Sequence, residues 1–161
     1  MPNQPDTEHL LRRTEFVARP ARVTDLLPLS RADAVDDVLA VDTSATTPGY
    51  LLAYPGGEGE WDQYVDACAW WLHMMANRPR PFLEKMVLFW HGHLVSSWSD
   101  VDGGFRLMRQ LQTYRANALG NFVALTQAMA IDPAMLVYLS NAENRISTWI
   151  DDQGIKHYDG D

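Results

Sequence analysis

The chain has 161 residues, the length of about one domain, and its 47% hydrophobic and 21% charged residues exclude an intrinsically disordered or low-complexity protein. Lys and Arg number 13 against 21 Asp and Glu, a formal net charge of −8 with no basic patch, so neither nucleic acid nor an anionic membrane is an expected partner. The single cysteine, Cys68, rules out an internal disulfide and a Cys-rich zinc site. No apolar stretch reaches the length of a signal peptide or a membrane span. With the lone thiol, this makes the cytoplasm the expected location.

In chain order, Asp6 and Thr7 can cap a helix over 6–16 that carries Leu10, Leu11 and Phe16 on one side. Pro20 suits the first turn of a second helix, which Pro28 prevents from continuing. Ser30 with Asp33 forms a variant capping box for a helix over 31–40 presenting Ala34, Val35, Val38 and Leu39. Residues 42–60 lack periodicity and contain Pro55-Gly56-Gly57, the mark of a long and flexible loop. From Trp61 the apolar positions Tyr64, Val65, Cys68, Trp71, Leu72 and Met75 follow helical spacing, widened by Trp70 and Met74. Arg78-Pro79-Arg80-Pro81 breaks the chain, and Phe82, Met86, Phe89 and Trp90 then share one face of a helix reaching about His93. Gly103-Gly104 precedes a helix with Phe105, Met108, Leu111 and Leu119 on one side, which Gly120 can end. Asn121 opens the next helix, and Asp132-Pro133 is a cap followed by proline at the first helical position of another. Asp151-Asp152-Gln153-Gly154 suits a hairpin turn within 146–158, where a frayed tail is the other option. The pattern predicts an all-α protein, an irregular multi-helix bundle: a single helical domain over 1–145, with a long loop near 42–60, and an irregular or hairpin-like tail over 146–161.

Few residue groups suggest chemistry. His91-Gly92-His93 invites a metal, since imidazole is a common neutral ligand. On a helix, however, residues i and i+2 lie about 200° apart, so the rings point to opposite sides unless Gly92 ends the helix. Around the wheel His93 falls amid Phe82, Met86, Phe89 and Trp90, and His91 near Glu84 and Leu88. Arg115 lies in the apolar arc of Met108, Leu111, Ala118 and Leu119 and therefore needs a carboxylate, for which Glu84 is the choice. Losing Arg115 would then strand a buried carboxylate, at a cost on the order of 3 kcal/mol. Gly56-Gly57-Glu58-Gly59 lacks the residues of a phosphate-cradling loop. Ser96 and Ser97 read as capping or exposed serines, Cys68 as inert packing, Asp36-Asp37 as solvated charge and the tryptophans as core.

Three blocks together resemble a known family: His9-Leu10-Leu11-Arg12-Arg13, then Phe82-Leu83-Glu84-Lys85-Met86-Val87-Leu88-Phe89-Trp90-His91-Gly92-His93, then Arg115-Ala116-Asn117-Ala118-Leu119-Gly120-Asn121-Phe122 followed by Asp132-Pro133-Ala134-Met135-Leu136. Over residues 7–145 the chain resembles the N-terminal part of the bacterial family called domain of unknown function 1800. The resemblance implies a largely helical protein, often exported in relatives and without an established activity. It also implies a shortened chain. Relatives continue after the stretch corresponding to Asn141-Ala142-Glu143-Asn144-Arg145 with a carboxylate-rich helix of the type N-E-N-x-A-R-E-L-x-E-L-F, and this sequence runs into Ile146-Ser147-Thr148-Trp149 instead.

The expected function is binding or scaffolding, with a protein partner or self-association covering the part of the Trp-rich face that the missing helices would leave bare. The alternative is a metal-dependent hydrolase or oxidoreductase using a single divalent metal on His91 or His93 with Glu84. Sugar stacking on exposed tryptophans is a third reading.

Overall fold

A computed structural model describes residues 3–41, 47–141 and 146–160. The chain is mainly α-helical: α1 (Gln4–Thr14), α2 (Pro20–Leu26), α3 (Arg31–Leu39), α4 (Glu60–Asn77), α5 (Phe82–His91), α6 (Trp98–Val101), α7 (Gly104–Asn117), α8 (Phe122–Ala130) and α9 (Pro133–Tyr138). A two-stranded antiparallel hairpin follows, β1 (Ile146–Ile150) and β2 (Lys156–Gly160), with Trp149 opposite His157 and their rings stacked 5.2 Å apart.

Capping chemistry sets several helix starts. The Ser30 hydroxyl accepts from the Asp33 N–H at 3.1 Å, the Asn121 amide oxygen from Val123 N–H at 2.8 Å, and Asp132 from Ala134 N–H at 3.0 Å. Helix α1 begins earlier than expected because Asn3, and not Asp6 or Thr7, is its cap: its side chain accepts from Asp6 N–H at 2.9 Å. The expected loop is more structured than its composition suggests. Short 3₁₀ turns occupy Gly49–Leu52 and Gly57–Gly59, and Leu51 is buried in the core. Gln63 holds the first turn in place, its amide nitrogen lying 3.3, 3.1 and 2.7 Å from the carbonyls of Tyr50, Leu51 and Ala53. The remainder of that expected loop, 42–46, lies outside the described residues.

Apolar side chains gather in two cores. The smaller joins Leu11, Val23, Leu26, Ala34 and Val38 of α1 to α3. The larger collects Leu51, Leu83, Val87, Met108, Leu111, Tyr114, Leu125 and Met129 around α7. Polar groups lock one core to the other. Arg19 donates to the Arg78 and Pro79 carbonyls at 3.0 and 2.8 Å, and Arg80 pairs with Asp37 at 2.7 Å. The Lys85 ammonium donates to the Arg12 and Glu15 carbonyls at the end of α1, at 3.0 and 2.7 Å, where the helix dipole favours a cation. Asp37 is therefore not a solvated charge. Burial alone would push its carboxyl up, but hydrogen bonds from Arg22 and Arg80 hold it below the ordinary aspartate value.

Two helices are rotated from their expected faces. On α4 the inward positions are Gln63, Ala67 and Met74, with Trp70 and Trp71 half-buried, while Leu72 is 63% exposed. On α5 they are Leu83, Glu84 and Val87, and the aromatic stripe of Phe82, Met86, Phe89 and Trp90 is only partly covered. On α5 the cause is electrostatic and is found at Glu84, described below; on α4 the Gln63 amide is drawn in by the carbonyls of Tyr50, Leu51 and Ala53.

Helices α4 and α7 run side by side in the same direction, start against start. The Glu60 carboxylate accepts from Phe105 N–H at 2.7 Å, capping α7 from α4. Gly104 makes the approach achievable: a Cβ there would lie 2.1 Å from the Glu60 carbonyl oxygen and 2.8 Å from the Tyr64 nitrogen, both main-chain atoms. Gly104→Ala should therefore cost about 3 kcal/mol by overpacking, read as a lowered midpoint in chemical denaturation; an unchanged midpoint would show that the helices can part freely.

Candidate functional site

The centre of the larger core is a carboxylate. Glu84 is 0% exposed, and both of its oxygens are occupied. Oε1 accepts from Arg115 Nη1 on α7 and from Arg78 Nη1, just after α4, at 3.2 Å; Oε2 accepts from the Trp71 indole N–H on α4 at 3.1 Å. The Arg115 guanidinium also lies over the Trp70 ring, 5.2 Å from its centroid. Glu84 and Arg115, paired on paper from opposite helices, thus meet inside the protein. Arg78 is the partner the sequence pattern does not reveal, because it lies in a proline-broken linker with no periodicity to show which way it faces.

This clamp determines which side of α5 is inward. With its charge matched by guanidinium groups, Glu84 can be buried, and the positions sharing its face, Val87 and His91, follow it in. His91 stands two turns beyond Glu84, its ring meeting Trp71 and Tyr114 edge-on with centroids 5.8 and 6.0 Å apart. Burial holds its pKa below the ordinary histidine value, and it has no hydrogen-bond partner among the described residues.

His93 goes elsewhere. The helix does end at Gly92, as the alternative allowed, but the turn carries His93 outward, where its Nδ1–H donates to the Phe89 carbonyl at 2.8 Å and its ring packs on Phe89, 4.3 Å between centroids. The structure does not bring His91 and His93 together beside Glu84. The rings diverge, and Glu84 offers both oxygens to guanidinium and indole donors. Among the described residues no three His, Cys, Asp or Glu side chains are placed to share an ion.

His91 opens onto a cavity of about 380 Å³ between α4, α5 and α7, lined also by residues 95–98. Helix α4 contributes Tyr64, Cys68 and Trp71, helix α7 contributes Met108, Gln110 and Tyr114, and Trp98 stands at the edge stacked on Tyr64 at 4.9 Å. Cys68 lines this space half-buried and is thus no part of the packed core. The Tyr64 phenol is pushed above its ordinary value by burial and by the neighbouring Cys68 thiol. The Tyr114 hydroxyl donates to the Leu94 carbonyl, and burial, then Asp132, pushes it up also. Ser96 is buried and not a surface serine: its hydroxyl accepts from Gln110 Nε2 at 3.0 Å, and the same nitrogen donates to Asp132 at 2.9 Å.

A model of the family described as "Protein of unknown function (DUF1800)" matches residues 9–148, most of the chain. The chain belongs to this family. The matched DUF1800 region takes in the Glu84 clamp, both histidines and the whole cavity lining. No curated protein and no solved structure matches the chain. Among the described residues of this DUF1800 member, no helix is long and apolar enough to cross a membrane. The stretch 142–145, where the comparison with longer relatives turned, lies outside them.

Substitutions in the clamp should rank by what they strand. Glu84→Gln removes the charge that Arg78 and Arg115 share and should cost on the order of 4 kcal/mol. Arg115→Met leaves Glu84 still paired with Arg78 and should cost about 2 kcal/mol, the scale of one charged hydrogen bond and less than the sequence pattern alone implied. Equal losses in urea unfolding would contradict shared pairing. His91 sets a pH dependence: being harder to protonate when folded, it makes stability fall as pH drops below the unfolded-histidine value of about 6.5. His91→Gln should flatten the loss between roughly pH 6.5 and 5, and an identical slope would place the effect in other groups.

Proposed function

We propose that this protein is a non-catalytic binding domain whose outer aromatic face is covered by an apolar helix of another protein. One observation carries the reading. A chain of ring contacts runs unbroken from His93 to Phe89 at 4.3 Å, Phe89 to Trp90 at 4.9 Å and Trp90 to Phe122 at 5.4 Å, while Phe89 and Phe122 are 48% and 58% exposed. Leu119 and Val123 beside Phe122 are exposed too. Exposed apolar side chains that are contiguous, and not scattered, are the mark of an interaction surface.

The face is rigidly presented. The Trp90 indole N–H donates to the Ala118 carbonyl at 2.9 Å, tying α5 to the end of α7, so the rings are held ready with little ordering left to lose on association. Aromatic groups with few torsions supply interface energy efficiently. The acidic balance, a net charge of −8, favours a partner with a basic rim over a second, equally acidic copy. The Cys68 thiol, unpaired, suits the reducing cytoplasm.

Nile red, an uncharged dye that brightens on apolar surfaces, tests the face directly. The wild-type protein should enhance its fluorescence, and the pair Phe89→Ser with Phe122→Ser should remove most of that enhancement while moving the thermal midpoint by no more than surface changes do. A dim wild-type protein, or a double variant as bright as the parent, would sink the proposal.

A further inference from the structure

The cavity beside His91 lies on the other side of α5 from the aromatic face and calls for a separate account. No Asp, Glu, Lys or Arg is among its lining residues. A charged ligand would lose its hydration there and find no counter-charge, a penalty of several kcal/mol. An uncharged one loses little. The walls are flat: Trp71, Tyr114 and the stacked Tyr64 and Trp98 present ring faces and edges, and rings of this kind recognise other planar groups by offset or edge-on contact. The volume, about 380 Å³, falls within the range of small-molecule sites and corresponds to the liquid share of about a dozen waters, room for a two-ring molecule.

The polar groups of the cavity differ in how far they are already satisfied. Tyr114 is committed to the Leu94 carbonyl, and Gln110 Nε2 donates to both the Ser96 hydroxyl and Asp132. The Tyr64 phenol has the Cys68 thiol as its neighbour. Two lining groups, the His91 imidazole and the Trp98 indole, have ring contacts and no hydrogen bond among the described residues, and of the two only the imidazole can both donate and accept. A polar group left unmatched in an apolar recess is costly unless something else completes it. An imidazole facing an uncharged, ring-walled space is the fixed polar point that orients a ligand in such a site.

We propose that the cavity walled by Trp71, Trp98 and Tyr114 binds a flat, uncharged small molecule whose hydroxyl or amide-like group hydrogen-bonds to the His91 imidazole. This site stands apart from the outer aromatic face, and either can exist without the other.

The test is calorimetric titration of the full chain with β-naphthol, naphthalene and β-naphthoate, which share a ring system and differ in a hydroxyl, nothing and a carboxylate. β-Naphthol should bind saturably and at least about tenfold more tightly than β-naphthoate. His91→Phe should weaken β-naphthol by about tenfold or more and leave naphthalene within about twofold, a split that general loosening of the fold would not produce. Cys68→Phe, which fills the space from a half-buried wall position, should abolish both, and Phe122→Ser on the opposite face should change neither. Circular dichroism confirms that each variant is folded. The proposal is overturned if β-naphthol shows no saturable binding at millimolar concentration, if β-naphthoate binds as well as β-naphthol, or if folded His91→Phe binds β-naphthol like the parent.

Discussion

One carboxylate organises this protein. Glu84 is buried on α5 and held by Arg115 from α7, by Arg78 from the end of α4 and by the indole of Trp71 from within α4. Three elements are thereby oriented by one point, and the geometry is directional in a way that Leu and Val contacts are not. A hydrophobic surface tolerates rotation of a helix by a residue or so at modest cost, whereas a shared guanidinium–carboxylate contact tolerates very little. Whether such a centre adds net stability over an apolar replacement is a separate matter; its role here is to select one register among several that the many apolar residues would otherwise permit.

That selection explains which parts of the fold could be read from residue order. Helix boundaries were legible wherever a short side chain caps the backbone locally, as at Ser30, Asn121 and Asp132, because capping is decided within a few residues. The pairing of Glu84 with Arg115 was legible too, since each is a charge amid apolar neighbours. Helical faces were not. On α5 the aromatic stripe outweighs Leu83, Glu84 and Val87 on any scale of hydrophobicity, yet the latter point inward because Glu84 is tethered there. Arg78, Arg22 and Asp37 escaped for the complementary reason, as their partners lie in other elements and only the folded chain brings them close. The burial of Ser96 depends likewise on Gln110 and Asp132 from two distant segments.

Rotated in this way, α5 serves two environments. Its inner seam carries Glu84 into the clamp and His91 to the cavity, while the opposite side presents Phe89 and supports Phe122 through Trp90. Residues two apart, His91 and either Phe89 or His93, belong to different surfaces. Both surfaces rest on the same clamp, so they share a foundation without sharing a residue.

The glycine contact between α4 and α7 sets a mechanical limit on that arrangement. At Gly104 the two helices touch through main-chain atoms, and no side-chain repacking can draw them nearer or act as a spring between them. The facing walls of the hollow are thus anchored at one end like the fixed jaw of a vice. The segment 95–98 is tied to that frame differently, through the Ser96 hydroxyl and Gln110 on α7.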